Sequence, residues 1–283
     1  MYSWLWLVIA SGILLGFSDI TKKETFKKNS VITVLALYSI FSFLFVSFEF
    51  SNAINLGSDK ILIILFKTFI VFLVWILSFT AIKNLPISVI TPFDTLNPMF
   101  SIIFGVVLLN EKLALFQFLG IFVMLLSYYF IGKVGSKEVT RIFRNKYFYF
   151  MIISAVLNAV SATIDKIVLK TVNPGQMQFW FSLFMAIFYI VSLIFMRCAG
   201  KDKSSIKFDY HIPVLSMLMI LSDRVYFMAL NIPSSEISIV MPLRKVSIFV
   251  SVIIGGLIFK EKNLKQKFWC ICLLIFGILL LFA

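Results

Sequence analysis

Two stretches, "TPFDTLNPMFSIIFGVVLLNEK" at Thr91–Lys112 and "MPLRKVSIFVSVIIGGLIFKEK" at Met241–Lys262, lie 150 residues apart and align without a gap. Pro92 meets Pro242, Ser101 meets Ser251, Ile103 meets Ile253, Gly105 meets Gly255, and the Glu-Lys pairs at 111/112 and 261/262 coincide. Upstream, "AIKNLP" (81–86) matches "ALNIP" (229–233) after a small gap, and "GFSDITKK" (16–23) and "ATIDKIVLK" (162–170) open the two halves. Self-similarity at a fixed offset over this length marks a duplicated unit.

Composition says where the duplicate lives. With 61% hydrophobic and 14% charged residues in 283, and a mean hydropathy of +1.02, the chain is too apolar for a soluble domain, in which about a quarter of residues are charged. Apolar runs long enough to cross a ~30 Å hydrocarbon core as helices recur from end to end. There are ten, over 3–20, 31–49, 61–82, 85–109, 113–132, 147–169, 176–198, 211–230, 234–259 and 266–283. The expected fold is therefore all-α: a polytopic membrane protein of ten transmembrane helices in two five-helix repeats, 1–135 and 146–283, joined by the polar segment 131–146. The opening "MYSWLWLVIASGILLGF" has neither a basic start nor a small-residue cleavage site, so it reads as a permanent first span.

Five is odd, so the second copy enters the membrane from the opposite side and the halves carry inverted topology. That symmetry is the basis of alternating access in secondary transporters, with the substrate near the midplane where the halves meet. The net charge of +13 is distributed accordingly. Counting the span ends that border them (Arg197, Lys267 and Lys166), eighteen of the 26 lysines and arginines fall in or beside loops after odd-numbered spans and four in or beside loops after even-numbered ones. Basic loops lie against the cytoplasmic leaflet, so the bias predicts a multi-pass protein of the cell (inner) membrane with both termini outside, and the charge answers to lipid headgroups rather than nucleic acid.

Ten spans in two halves, each closing on a "NEK" or "KEK" turn and a last span, resemble the drug/metabolite transporter superfamily and its EamA-like branch. Ser222–Asn263 is also similar to a bacterial subgroup in which the aspartate of span eight and the "PLR" of span nine recur. The resemblance implies transport of a small metabolite through a central cavity. It also implies cytoplasmic termini, whereas the loop charges of this chain argue the reverse, and the orientation above follows the charges.

Four cations lie well inside spans, away from their ends: Lys67, Arg224, Arg244 and Lys245. A charge at the bilayer centre costs at least ~2.5–3.5 kcal/mol on insertion scales, so each needs a partner or a wet cavity. Counting from Ser234, Arg244 and Lys245 lie about 15 Å along span nine, at the midplane. Asp223 and Arg224 in span eight, and Asp94 and Asn97 in span four, fall at a similar depth. The repeat sets Asp94 opposite Arg244, so the halves would face each other with an acidic wall and a basic one. The expected substrate site comprises Arg244, Asp94, Arg224, Asp223, Lys245 and Asn97, with Trp75 and Tyr226 lining it. A guanidinium fork suits the carboxylate or phosphate of an anionic or zwitterionic substrate. The structural alternative is a permanent ion pair of Arg244 with Asp94 or Asp223.

Asp19 and Asp165, toward the ends of spans one and six and followed by Lys22 and Lys166, are candidates for coupling or gating, against a plain role as interfacial carboxylates paired with lysine. Lys67, about six residues into span three, is expected to snorkel to the interface. Glu236 reads as a helix-start residue, and Asn110 and Glu111 as caps of the helix that follows them. Pro92, Pro98 and Pro242 predict kinks in spans four and nine. Cys198, Cys270 and Cys272 show no metal or redox spacing, and the lone His211 reads as an interfacial residue. Neither "HExxH" nor "GxxxxGK[ST]" occurs, so no metal, ATP or other cofactor is expected. Partners reduce to a small-molecule substrate and the bilayer, for a monomer or homodimer. The competing reading is an intramembrane enzyme acting on a lipid through Asp94 and Asp223, which would not need a repeat.

Overall fold

A computed structural model describes residues 3–25, 30–84, 96–133, 145–200, 209–250, 253–254 and 264–281. Asp94, Pro92 and Glu261 lie outside them. The described residues form ten principal helices: α1 Ser3–Thr25, α2 Val31–Val46, α3 Ser58–Asn84, α4 Leu96–Leu109, α5 Leu115–Lys133, α6 Lys146–Val168, α7 Pro174–Cys198, α8 His211–Asn231, α9 Ile237–Arg244 and α10 Leu264–Leu281. A 3₁₀ turn at Ser47–Glu49 and a helical turn at Phe50–Ala53 extend α2, and a further turn at Ser247–Val250 follows α9.

Six of these are apolar and long enough to cross a membrane: Ser3–Lys22, Val31–Ala53, Ser58–Ser78, Lys146–Val168, Pro174–Cys198 and His211–Asn231. The described parts of spans four, five and ten are shorter apolar helices. Large apolar side chains such as Trp6, Phe48, Phe66, Val107, Phe195 and Trp269 stand exposed, a surface for which hydrocarbon is the matching solvent.

Local chemistry sets the helix ends. Ser30 starts α2, its hydroxyl accepting from Thr33 N–H at 3.3 Å. At α7, Asn173 precedes Pro174, and the Gln176 side chain accepts from the Asn173 N–H at 3.2 Å; proline is suited to the first helical position because its missing donor has no partner there. Asn110 ends α4 in the left-handed region, φ 54°, a conformation asparagine tolerates better than most residues.

The chain packs as two compact units, Met1–Phe72 with Asp165–Pro233 and Leu73–Ile164 with Ser234–Ala283. Each takes spans from both halves of the sequence, and the division falls within α3 and α6.

In the first unit α1 lies on α8 and α2 on α7. Small hydroxyl residues allow the close approach: Ser11 Oγ donates to the Ser222 carbonyl at 2.9 Å, and Ser222 Oγ returns the bond to the Ser11 carbonyl at 2.9 Å. Ser216 Oγ ties α8 to the Tyr38 carbonyl of α2. Val46, Ala53, Phe179 and Ile220 close an apolar cluster around the α2–α7 crossing. Trp180 Nε1 donates to the Ala53 carbonyl at 3.0 Å.

In the second unit α10 lies on α5 and α9 on α4. Gly120 and Gly277 permit the first contact, since a Cβ on Gly120 would come within 2.7 Å of the Gly277 carbonyl oxygen. Ser127 Oγ donates to the Cys270 carbonyl at 2.5 Å along the same seam.

Candidate functional site

The first unit holds two ion pairs between helices, one buried and one half-buried. Lys67 of α3 meets Asp165, in the last turn of α6, with Nζ–Oδ1 3.0 Å and side-chain exposures of 3% and 6%. The Lys67 ammonium sits 3.8 Å from the centroid of the Phe181 ring of α7 and 5.3 Å from that of Phe227 on α8. Four helices thus converge on one ammonium group, and the negative ring faces replace part of the hydration it gives up.

Lys67 therefore points into the helix packing, contrary to the expectation that it snorkels. The pairing of Asp165 also differs from expectation. Lys166, its sequence neighbour, projects elsewhere and donates to the Leu230 and Ile232 carbonyls, both at 3.0 Å, at the end of α8. Asp19 does pair locally, with Lys22 at 3.0 Å on a half-exposed stretch of α1. The two aspartates that correspond in the repeat are therefore unlike in environment.

The second pair joins Arg224 of α8 to Glu49, just beyond α2. Asn52 Nδ2 donates to the other Glu49 oxygen at 3.0 Å. Gly175 leaves room for the carboxylate, since a Cβ there would meet the Glu49 oxygens at 2.6–2.7 Å; Glu49 so lies at the positive end of α7. Glu49 is not among the site residues expected from the sequence. The available signal is that it is the one acidic residue in span two, while Arg224 needs a counter-charge. Asp223 is half-buried beside Arg224, and Tyr226, one residue before Phe227, is buried.

The second unit holds Trp75, Asn97, Arg244 and Lys245, all half-buried. Span nine is not one straight helix. Pro242 cannot donate, and past it the bonds tighten to i→i−3: Lys245 N to Pro242 O at 3.1 Å, Val246 N to Leu243 O at 3.0 Å, Ile248 N to Lys245 O at 2.9 Å. Arg244 is the last residue of α9 and Lys245 its C-cap, where the helix dipole favours cations. Asn97, in the first turn of α4, keeps a buried Oδ1 without a hydrogen-bond partner. The residues of the expected site thus divide between the two units.

The start of α9 carries a carboxylate from elsewhere. Glu111 accepts from Ile237 N–H at 2.6 Å, Ser238 N–H at 2.9 Å and Ser238 Oγ at 2.5 Å. Glu236, at the N-cap position, makes no capping bond. The expectation that Glu111 serves the following helix is corrected, since the Ala114 N–H at the start of α5 goes to Gln117 Oε1 at 2.8 Å. Asn110 likewise ends α4 instead of starting α5. Gly105 makes the space: a Cβ there would fall 2.2 Å from Ser238 Oγ and 2.4 Å from Glu111 Oε2. Among the described residues no three His, Cys, Asp or Glu side chains gather to hold a metal ion.

An all-helical chain with six apolar helices of spanning length, buried charges shared between helices and an interrupted ninth span is a multi-pass membrane protein. The chain belongs to the EamA-like transporter family, whose model matches twice, over residues 2–133 and 145–283. No curated protein matches it. A solved crystal structure of a protein superposes with a TM-score of 0.76, covering 98% of this chain and 96% of its own at 11% identity; at that identity the likeness is one of fold.

Proposed function

We propose that the chain is a secondary transporter of the cell (inner) membrane that moves a small polar or amphipathic metabolite, anionic or zwitterionic in part, by alternating access. The observation that carries the reading is the double family match, one copy on each half of the duplicated sequence. Packing supports it: α2 lies on α7, α4 on α9 and α5 on α10, and these are register mates, the elements a two-fold between inverted repeats brings together. The repeats are taken as 1–135 and 146–283, in a monomer or homodimer with basic loops cytoplasmic and termini outside.

Arg244, at the end of a half-helix, is proposed to meet the anionic group of the substrate, and Lys245, Arg224, Asp94, Asp223, Asn97, Trp75 and Tyr226 are proposed, from their sequence positions, as further substrate-binding residues. Coupling or gating is assigned to Asp19 and Asp165. The family is one of transporters, and the lipid-enzyme reading gains no support from it.

The test is uptake into proteoliposomes by wild type and Arg244→Ala, with insertion and folding checked by size-exclusion profile. Transport lost from a folded variant is expected. Full transport by Arg244→Ala would overturn the assignment of this residue, and loss of folding would favour the ion-pair role.

A further inference from the structure

We infer that Asp165, Phe181 and Phe227 form a binding site for the organic ammonium group of a zwitterionic substrate, occupied in this structure by the chain's own Lys67. One carboxylate and two ring faces around a cationic nitrogen is the chemistry that recognises primary and alkylated amines alike. The neighbouring lysine provides the contrast. Lys166 is fixed by two directional hydrogen bonds to carbonyls, as a structural lysine should be. Lys67, equally buried, is held by a single carboxylate oxygen at 3.0 Å and by ring faces at 3.8 and 5.3 Å, which impose little directionality. A buried ion pair is a poor stabiliser compared with well-packed apolar side chains of like volume, so the charges point to a use other than stability.

That use follows from charge balance. An empty carrier that turned with Asp165 ionised and unpaired would bury a net charge, and Lys67 supplies the missing cation. A substrate bearing both an ammonium and a carboxylate enters the pair without leaving a charge alone: at this station its ammonium takes the Asp165–Phe181–Phe227 cradle and its carboxylate meets the displaced Lys67, while the contact with Arg244 belongs to another step of the cycle. The exchange breaks one ion pair and forms two.

The inference rests on the transporter reading for its purpose, but its test is binding by purified protein in detergent, with no compartment. The midpoint of thermal unfolding is measured with 4-aminobutyrate, with tetramethylammonium chloride, and with sodium acetate or sodium chloride at equal ionic strength. Wild type is expected to gain about 2–4 °C with 4-aminobutyrate over the salt controls. Lys67→Ala, with the cradle vacated, should gain more from tetramethylammonium than wild type does, and Asp165→Asn should gain from neither. Phe181→Leu keeps the ion pair and is expected to weaken apparent affinity roughly two- to tenfold, so the test survives if Lys67→Ala fails to fold.

Rescue of Lys67→Ala without any ammonium effect on wild type would overturn the inference and leave a structural pair. Gains that persist in Asp165→Asn would also overturn it. Ammonium binding without uptake by proteoliposomes would count against the transporter reading and leave the site standing; uptake with no ammonium binding would do the reverse.

Discussion

Lys67 and Asp165 illustrate how little an ion pair's stability depends on the attraction within it. Each charge has left water, and removing one partner strands the other, at a cost of about 3–5 kcal/mol, whereas replacing both with apolar groups is often neutral. Lys67→Met alone and Asp165→Leu alone are therefore expected to lower the unfolding midpoint sharply, and the double variant to recover most of the loss, as read by a double-mutant cycle. A double variant as unstable as the sum of the singles would show that the charges are not each other's main partners. Both residues are legible in the sequence, but their pairing is not. Adjacent positions on a helix face different ways, so Lys166 was never well placed for Asp165, and the depth of Lys67 in span three says nothing about which face of α3 it occupies. Glu49 is hard to read for a similar reason, because a carboxylate at the end of an apolar run looks interfacial until the partner helix is known.

The fourth and ninth helices show what elements do with their ends. The N-terminus of α9 exposes N–H groups that its own N-cap side chain leaves unbonded, and a carboxylate from the end of α4 fills them. Glu111→Ala should destabilise by about 1–3 kcal/mol, the range for leaving buried donors unpaired, and Glu111→Gln, which keeps an acceptor, should lose less. Equal loss from both variants would show that the negative charge matters and the hydrogen bonds do not. Gly105→Val is expected to disturb the same contact, since its Cβ would have to displace Ser238 and Glu111 together. The Pro242 kink was legible because proline acts on its own helix. The Glu111 contact was not, because a helix start in one half borrows its cap from the other half, 126 residues away, and only the fold brings the two together.

At the scale of the whole molecule the duplication was the most legible feature, since the register of Thr91–Lys112 on Met241–Lys262 needs no structure to be seen, and the family model falls on the same two halves. The compact units were not legible. Sequence divides the chain at the linker, whereas packing groups α1, α2, α7 and α8 in one unit and α4, α5, α9 and α10 in the other, because helices associate by face and not by order. Within the second unit the α5–α10 seam depends on two glycines whose backbones nearly touch. Gly120→Leu should therefore lower the unfolding midpoint by several degrees while Leu119→Ala, on an exposed side chain, changes it little; equal effects would place the seam's stability elsewhere.

Transport is read most plainly by counterflow in sealed proteoliposomes loaded with unlabelled 4-aminobutyrate and given the labelled compound outside. Wild type should accumulate label transiently above equilibrium, and folded Arg244→Ala should not. Accumulation by Arg244→Ala equal to wild type would contradict the proposed site. Absence of counterflow by wild type that binds the same compound in detergent would contradict transport itself.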